Sequence, residues 1–292
     1  MRLLPWCCAL LLAGPVAATP AMWVVKDADT EITLFGTIHA LPKASGWLKP
    51  SVSARLDAAD TLVLEAIIPE DRYALAPLVA ELGMRPGLKP LTTRVSKALA
   101  ADVTRTAAAA GLPIAALDRM ETWLAAITLS EATLARMGIT SDAGVEPVLE
   151  ARARAAKKAV IGLETPEQQL RYFDNMPEND QIAMLEATLG DLGTAKADTD
   201  KLIALWQSGD VETIARDFAK EARASPLLQK VLLTDRNKRW ADWITGVMRR
   251  PGKVFVAVGA GHFGGPDGLL ALLAGRGLRA ERIEDPTPAS KP

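Results

Sequence analysis

Apolar and polar positions alternate at two different spacings along this chain, and the change between them marks out its elements. Residues 22–26 and 31–38 are apolar and rich in β-branched side chains on either side of Asp27-Ala28-Asp29, which predicts two strands around a turn. The next segment, 45–59, carries Trp47, Leu48, Val52 and Leu56 at helical spacing. A short apolar run at 61–67 has the character of a buried strand. Helical patterns follow at 70–82 and 92–110, then a short strand is expected at 113–117 and long Ala/Leu-rich helices at 121–136 and 145–158. Another buried-type strand at 159–163 leads into Thr165-Pro166-Glu167-Gln168, which has the form of a capping box with proline in the first turn. From 165 to 250 the periodicity is helical throughout. The chain then returns to a strand at 254–258, a helix opened by Gly265-Pro266-Asp267, and a last strand at 279–283.

Strands alternating with helices at both ends predict an α/β fold. Its single central sheet is mixed or mostly parallel and flanked by helices, with a large helical insertion at 165–250 before the last strands. Residues 19–284 read as one domain, and 285–292, rich in proline, as a flexible tail. Residues 1–18 are set apart. Arg2, the apolar run 3–12 and the small residues Val16-Ala17-Ala18 have the layout of a cleaved secretory signal, so a periplasmic or secreted location is expected. That run is too short to span a bilayer, which needs about 20 apolar residues, and no stable membrane span is expected after cleavage. Cys7 and Cys8, the two cysteines of the chain, lie inside the signal. A protein trimmed there keeps neither a disulfide nor a cysteine-bound metal.

Charge narrows the partners. Lys+Arg 34 against Asp+Glu 35 leaves no basic field for nucleic acid. A Gly-x-Ser-x-Gly elbow and a GxxxxGK loop are both missing from the sequence, which disfavours a serine-elbow hydrolase and a P-loop nucleotide site. The 2 histidines are more informative. One expected strand ends in Gly36-Thr37-Ile38-His39 and another runs into Gly259-Ala260-Gly261-His262. Each histidine has a glycine three residues earlier, a coincidence that chance produces about one time in two hundred. Two further strands deliver Glu65 and Glu164. In open α/β sheets ligands bind beyond the carboxyl ends of the strands, so parallel neighbours would gather all four side chains on one edge. Two imidazoles with one or two carboxylates suit a divalent metal, and the same set could act as base and acid without one. Each residue also has a plainer reading: a strand-end histidine is often structural, and Glu164 beside a helix N-terminus is favoured by the macrodipole. Arg236 shares a predicted helix face with Trp240, a spacing that ordinarily means packing.

The motifs together resemble one family. Leu34-Phe35-Gly36-Thr37-Ile38-His39, Glu65, the run from Val160 to Gln169, Asp235-Arg236-Asn237 with Trp240, and Val258-Gly259-Ala260-Gly261-His262-Phe263 look like the TraB/PrgY/GumN family. The resemblance covers nearly all of the chain after the signal. That family is similar to the Tiki proteins, described as metal-dependent proteases, and more distantly to erythromycin esterases and haem-binding ChaN proteins. The resemblance implies a metal-dependent hydrolase acting on a peptide or small-molecule substrate. His39, His262 and Glu65 would hold a divalent ion (Mn, Co or Zn), with Glu65 as ligand or general base and Arg236 stabilising negative charge. Glu164, Asn237 and Glu146 are candidates to stand behind these, Glu164 by orienting an imidazole. Where the family pattern leads one to expect Gly-Ile-Asp, this chain has Gly144-Val145-Glu146, which keeps the charge and lengthens its reach. Two alternatives stay open: a binding protein that captures a peptide, signal or haem without turnover, and a metal-free esterase-like enzyme with histidine as base.

Overall fold

The computed structural model describes residues 19–43, 45–190, 194–221 and 226–284, so the expected signal and tail lie outside the described residues. Among the described residues eight strands form two sheets: β1 (Met22–Lys26), β2 (Thr30–Thr37), β3 (Leu41–Pro42), β4 (Thr61–Ala66), β5 (Ile139–Thr140), β6 (Ala159–Glu164), β7 (Gly252–Gly259) and β8 (Glu281–Arg282). The main sheet has the order β6-β4-β7-β2-β1-β8, and β3 pairs with β5 in a small second sheet. β6, β4, β7 and β2 run parallel to one another, whereas β1 and β8 pair antiparallel at one side. The sheet is therefore mixed and mostly parallel, as its sequence pattern predicts.

Burial explains the order. β4 and β7 sit inside the sheet and read as continuous apolar runs, with Leu62, Val63, Leu64, Phe255, Val256, Ala257 and Val258 all buried. The turn at Asp27 closes β1 onto β2, its carboxylate accepting from the N–H groups of Asp29 and Thr30. β7, last of the long strands, slots between β2 and β4. Its register sets Gly259 opposite Thr37 and Ala257 opposite Leu64, while Ala66 of β4 lies opposite Glu164 of β6. The carboxyl ends of β2, β7, β4 and β6 thus share one edge.

Helices Pro50–Ala58 and Val145–Ala155 pack against the parallel strands, and Asp235–Val247 packs on Leu269–Ala274. A second core is purely helical. Leu99 and Val103 of Lys97–Ala110, Leu129 of Thr122–Arg136 and Leu185 of Glu178–Leu189 meet there. The stretch 165–250 therefore divides among the cores, with Leu170 and Phe173 packing on a third cluster of Leu82, Trp123 and Leu124. Glu178–Leu189 joins the helical one, whereas Trp206, Val211, Ile214, Trp240 and Ile244 enter the core of the sheet.

Several boundaries differ from the sequence reading. Residues 113–117 are not a strand: Pro113 is followed by one helical turn, Ile114–Leu117, whose Leu117 is buried in the helical core. Its alanines have high helix propensity and tertiary packing decides the rest. The pattern at 92–110 is two helices, because Ser96 accepts from the Leu99 N–H and caps a fresh start at Lys97. At 45–59 the helix waits for Pro50, since the residue before proline is held extended. The two-residue strands β3 and β5 carry too little periodicity to be seen in the sequence.

Leu185 is fully buried between helices of the second core. Leu185→Ala is expected to cost about 2–5 kcal/mol in chemical denaturation, the range for deleting a buried leucine side chain.

Candidate functional site

The four strand ends carry the polar cluster. His39 lies just beyond β2, Glu65 is in β4, Glu164 ends β6, and His262 follows β7 in the turn Ala260–His262. Asp235–Val247 brings Arg236 and Asn237 to the same place from the helical stretch. Glu65, Glu164, Arg236, Asn237 and His262 are all buried. His39 keeps 64% of its side-chain surface accessible.

Each imidazole is oriented by its Nδ1 partner. His39 Nδ1 lies 2.7 Å from Glu146 Oε1, which also accepts from the Thr37 hydroxyl at 2.5 Å. A carboxylate accepts only, so His39 Nδ1 carries the proton. His262 Nδ1 lies 2.6 Å from Asn237 Oδ1, and the Asn237 amide nitrogen donates to the Asp267 carbonyl at 2.9 Å. That fixes the amide, so His262 Nδ1 is also the donor. Both Nε2 atoms are thereby turned toward one oxygen. His39 Nε2 is 4.0 Å and His262 Nε2 is 3.8 Å from Glu65 Oε1.

Glycine makes this convergence possible. A Cβ on Gly259 would stand 3.2 Å from Glu65 Oε1, 3.4 Å from His262 Cδ2 and 3.5 Å from His39 Nε2. The Gly259 N–H donates to Glu65 Oε1 at 2.7 Å. Gly36 serves a different approach, since its Cβ would meet Ala260 at 3.2 Å. The matched glycines of the two motifs thus answer to two separate close contacts. Gly144 is tighter still: its Cβ would lie 2.1 Å from the His39 carbonyl oxygen. That contact lets the helix bearing Glu146 begin directly against the His39 loop, with Val145 N–H donating to the Ile38 carbonyl at 3.1 Å.

Arg236 binds the acids together. Its Nη2 donates to Glu65 Oε2 and, at 2.9 Å, to Glu164 Oε2, while its Nε reaches both Glu164 oxygens at 3.0 and 3.1 Å. Nη1 donates to the Leu232 carbonyl at 3.2 Å and faces His262 Nε2 at 3.4 Å. Leu232 belongs to a π-helical turn, Lys230–Thr234, of the kind that often marks functional sites. Trp240 lies under the guanidinium at 4.6 Å and beside the His262 ring at 4.5 Å. Glu164 also accepts from Tyr172 and Gln169, at 3.1 and 3.2 Å. Glu164 was expected to orient an imidazole; it holds Arg236 instead, and Glu146 and Asn237 perform that orienting. Arg is long enough to cross from its helix to two strands, which explains the exchange. Tyr172, Gln169 and Thr37 were not picked out in the sequence. Thr37, two residues before His39, and Tyr172, on the helix opened by the capping box, carried only proximity as a signal.

Charge follows from these contacts. Burial alone would raise the Glu65 pKa, but Arg236, the two histidines and the Gly259 N–H outweigh it and hold the carboxyl at about 2. Burial pushes His262 down to about 3, with Glu65 opposing and Arg236 and His39 assisting. Desolvation also acts against charge on His39, yet Glu146 and Glu65 prevail and raise it to about 9. At neutral pH His262 is neutral, His39 is cationic and Glu65 is ionised. His39, Arg236 and His262 also line an adjoining cavity of about 630 Å³. Among the described residues no group of three or more His, Cys, Asp or Glu side chains forms a ready-made metal cage.

In metal-free protein, imidazole NMR should show His39 titrating near pH 9 and His262 staying neutral until about pH 3. Glu146→Gln should lower the His39 value, because it removes the nearest negative charge. The linked stability has opposite signs at the two rings. The His39 contribution is present below its unfolded pKa of about 6.5 and fades as pH rises through about 9, whereas His262 destabilises the fold as pH falls below about 6.5. Gly144→Ala should destabilise by about 1–3 kcal/mol, the usual cost of overpacking, and displace His39. A lowered Tm with a shifted His39 resonance would show both effects.

The model of the TraB/PrgY/gumN family matches residues 21–282. The uncharacterized protein YbaP of Escherichia coli (strain K12) is 24% identical over 262 residues, covering 90% of this chain and 95% of that protein. An uncharacterized protein of Treponema pallidum (strain Nichols) is 26% identical over 175 residues, 56% of this chain and 52% of its own length. No solved structure matches. With its paired GxxH turns, its carboxyl-edge acids and a family match running from β1 to β8, the chain belongs to the TraB/PrgY/gumN family.

Proposed function

We propose that this carboxyl-edge site is a metal-dependent hydrolase centre for peptide or other carbonyl substrates. The observation that carries the reading is the aiming of both Nε2 atoms at Glu65 Oε1 by fixed Nδ1 partners. Metal-ligating histidines characteristically donate their other N–H to a carboxylate or an amide in this way.

Ligand atoms around a tetrahedral ion at about 2.0–2.1 Å stand about 3.3–3.5 Å apart. Glu65 Oε1 stands 3.8 Å from His262 Nε2 and 4.0 Å from His39 Nε2, so His39, His262 and Glu65 are the residues that would hold an ion. Charge favours it too. With neutral imidazoles, Glu65, Glu146 and Glu164 face Arg236 and the half-exposed Arg239, which lies 3.5 Å from Glu164. A proton on His39 relieves that negative excess, and a divalent ion such as Mn, Co or Zn would take its place. Such an ion supplies Lewis acidity, lowering the pKa of water and polarising a carbonyl.

The side chains have separate tasks. Glu65, with both oxygens engaged and its pKa depressed, suits holding charge better than accepting a proton. Arg236 presents Nη1 beside His262 Nε2, where it can stabilise negative charge developing on a substrate oxygen. Trp240 and Glu164 keep the guanidinium from swinging away. One observation favours a second reading without metal. His39 is accessible and backed by Glu146 and Thr37, the arrangement of a general acid or base.

His39→Ala and His262→Ala should each abolish metal content by mass spectrometry and chelator-sensitive hydrolysis, while unfolding stays cooperative. Glu65→Gln should lower metal occupancy and turnover together. Arg236→Lys, which leaves a cation between Glu65 and Glu164, should keep the metal but lose about 10²–10³-fold in turnover. Loading at neutral pH should release close to one proton, from His39, in calorimetry across two buffers, and affinity should rise with pH up to about 9. Chelator-resistant turnover that disappears in His39→Ala with His262→Ala still active would replace this reading with the metal-free one.

A further inference from the structure

The cavity beside the site differs in character from the site itself. Among the described residues that line it, His39, Arg236 and His262 are the ionisable ones. Most of the remaining lining is apolar and includes Met184, Leu202, Ile203, Phe218, Leu232 and Leu233. Phe218 is 43% exposed, and its ring lies against Gly261, where a Cβ would be 3.1 Å away. Leu232 and Leu233 come from the π-helical turn whose Leu232 carbonyl accepts from Arg236, so one short segment carries both apolar wall and cationic anchor.

We infer that the cavity holds an unbranched aliphatic acyl chain, with the acyl carbonyl or carboxylate at Arg236 and His39. The inference rests on reading the site as one that takes a carbonyl substrate, and it names the group that carbonyl bears. The chain is preferred over an apolar peptide for a reason of hydrogen bonding. A peptide brings an N–H and a C=O with every residue, and each is costly to desolvate without a partner. Away from the strand ends at His39 and Gly259, the cavity walls are mostly helices, whose backbone groups already pair within the helix. The Thr188 hydroxyl donates to its own helix at Met184, and the Thr37 hydroxyl to Glu146. A methylene chain asks for none of these bonds. A volume of about 630 Å³ is within the range of pockets that bury a small ligand almost completely.

The test is displacement of fluorescent cis-parinaric acid from the full protein by saturated fatty acids from butanoate to hexadecanoate. It is repeated with N-acetyl-Leu-Leu amide and related capped apolar peptides. Affinity should rise about three- to fourfold per methylene until the cavity fills, the transfer value of a buried CH₂. The peptides should compete at least about tenfold more weakly than dodecanoate, as expected when two or more amides go unpaired. Leu233→Asp and Ile203→Trp, which leave His39, Glu65, Arg236 and His262 in place, should each weaken dodecanoate about tenfold or more and leave butanoate unchanged. Thermal unfolding identifies whichever variant is folded. A flat chain-length series, equal competition by the peptides, or folded variants that bind dodecanoate like the parent would overturn the inference. Chain-length-dependent binding with no turnover of acyl esters or peptides would leave it standing and remove the hydrolase reading. Turnover of peptides or short esters with a flat fatty-acid series would do the reverse.

Discussion

The buried Arg236 guanidinium, shared between Glu65 and Glu164, is the interaction on which the site depends. Three ionised groups are taken out of water there, a cost that only mutual pairing and further hydrogen bonds can offset. Gly259, Tyr172 and Gln169 supply those bonds. The partners come from β4, β6 and the helix Asp235–Val247, so the cluster ties the sheet to the helical stretch through charge as well as packing. Removing one member would strand the others, and the arrangement is therefore fixed as a unit.

That fixed charge governs the imidazoles. Burial and Arg236 keep His262 neutral, while Glu146 and Glu65 keep a proton on His39 against desolvation and Arg236. Two chemically identical side chains in matched motifs thus acquire opposite protonation states at neutral pH. The difference lies in what surrounds each Nδ1: an amide beside buried aromatic surface for His262, a carboxylate at an accessible edge for His39. Both rings nevertheless turn Nε2 toward Glu65 Oε1, in a small volume where Arg236, Arg239 and the His39 cation balance three carboxylates. Beside it the surface becomes apolar within the same π-helical turn, which places a strong local field next to a low-dielectric wall.

The α/β class, the parallel strands and the polar strand ends were legible in the sequence because their cause is local. A strand buried on both faces must be continuously apolar, and its end must change character where it meets solvent or a ligand. Hence His39, Glu65, Glu164 and His262 could be placed at strand ends from the pattern of runs, and on one edge on condition that those strands are parallel neighbours. The glycines three residues before each histidine were visible too, though not the contacts that require them. Where local preference was weak, the reading failed. The turn at 114–117 and the strands β3 and β5 are set by what packs on them.

Only the tertiary structure decided that β7 enters between β2 and β4, which sets His262 beside Glu65 and His39 rather than at a far edge. Strand order depends on long-range pairing, and hydrophobic periodicity does not encode it. The same holds for Glu164, whose partner proved to be an arginine 72 residues away rather than an imidazole. It holds also for Glu146, whose added methylene reaches His39 and Thr37 because Gly144 lets its helix start against the His39 carbonyl. The sequence determined which residue types stand at the strand ends, since that follows from burial along each segment. Which nitrogen faces which oxygen was decided by the fold, since distances between segments exist only once the chain has closed on itself.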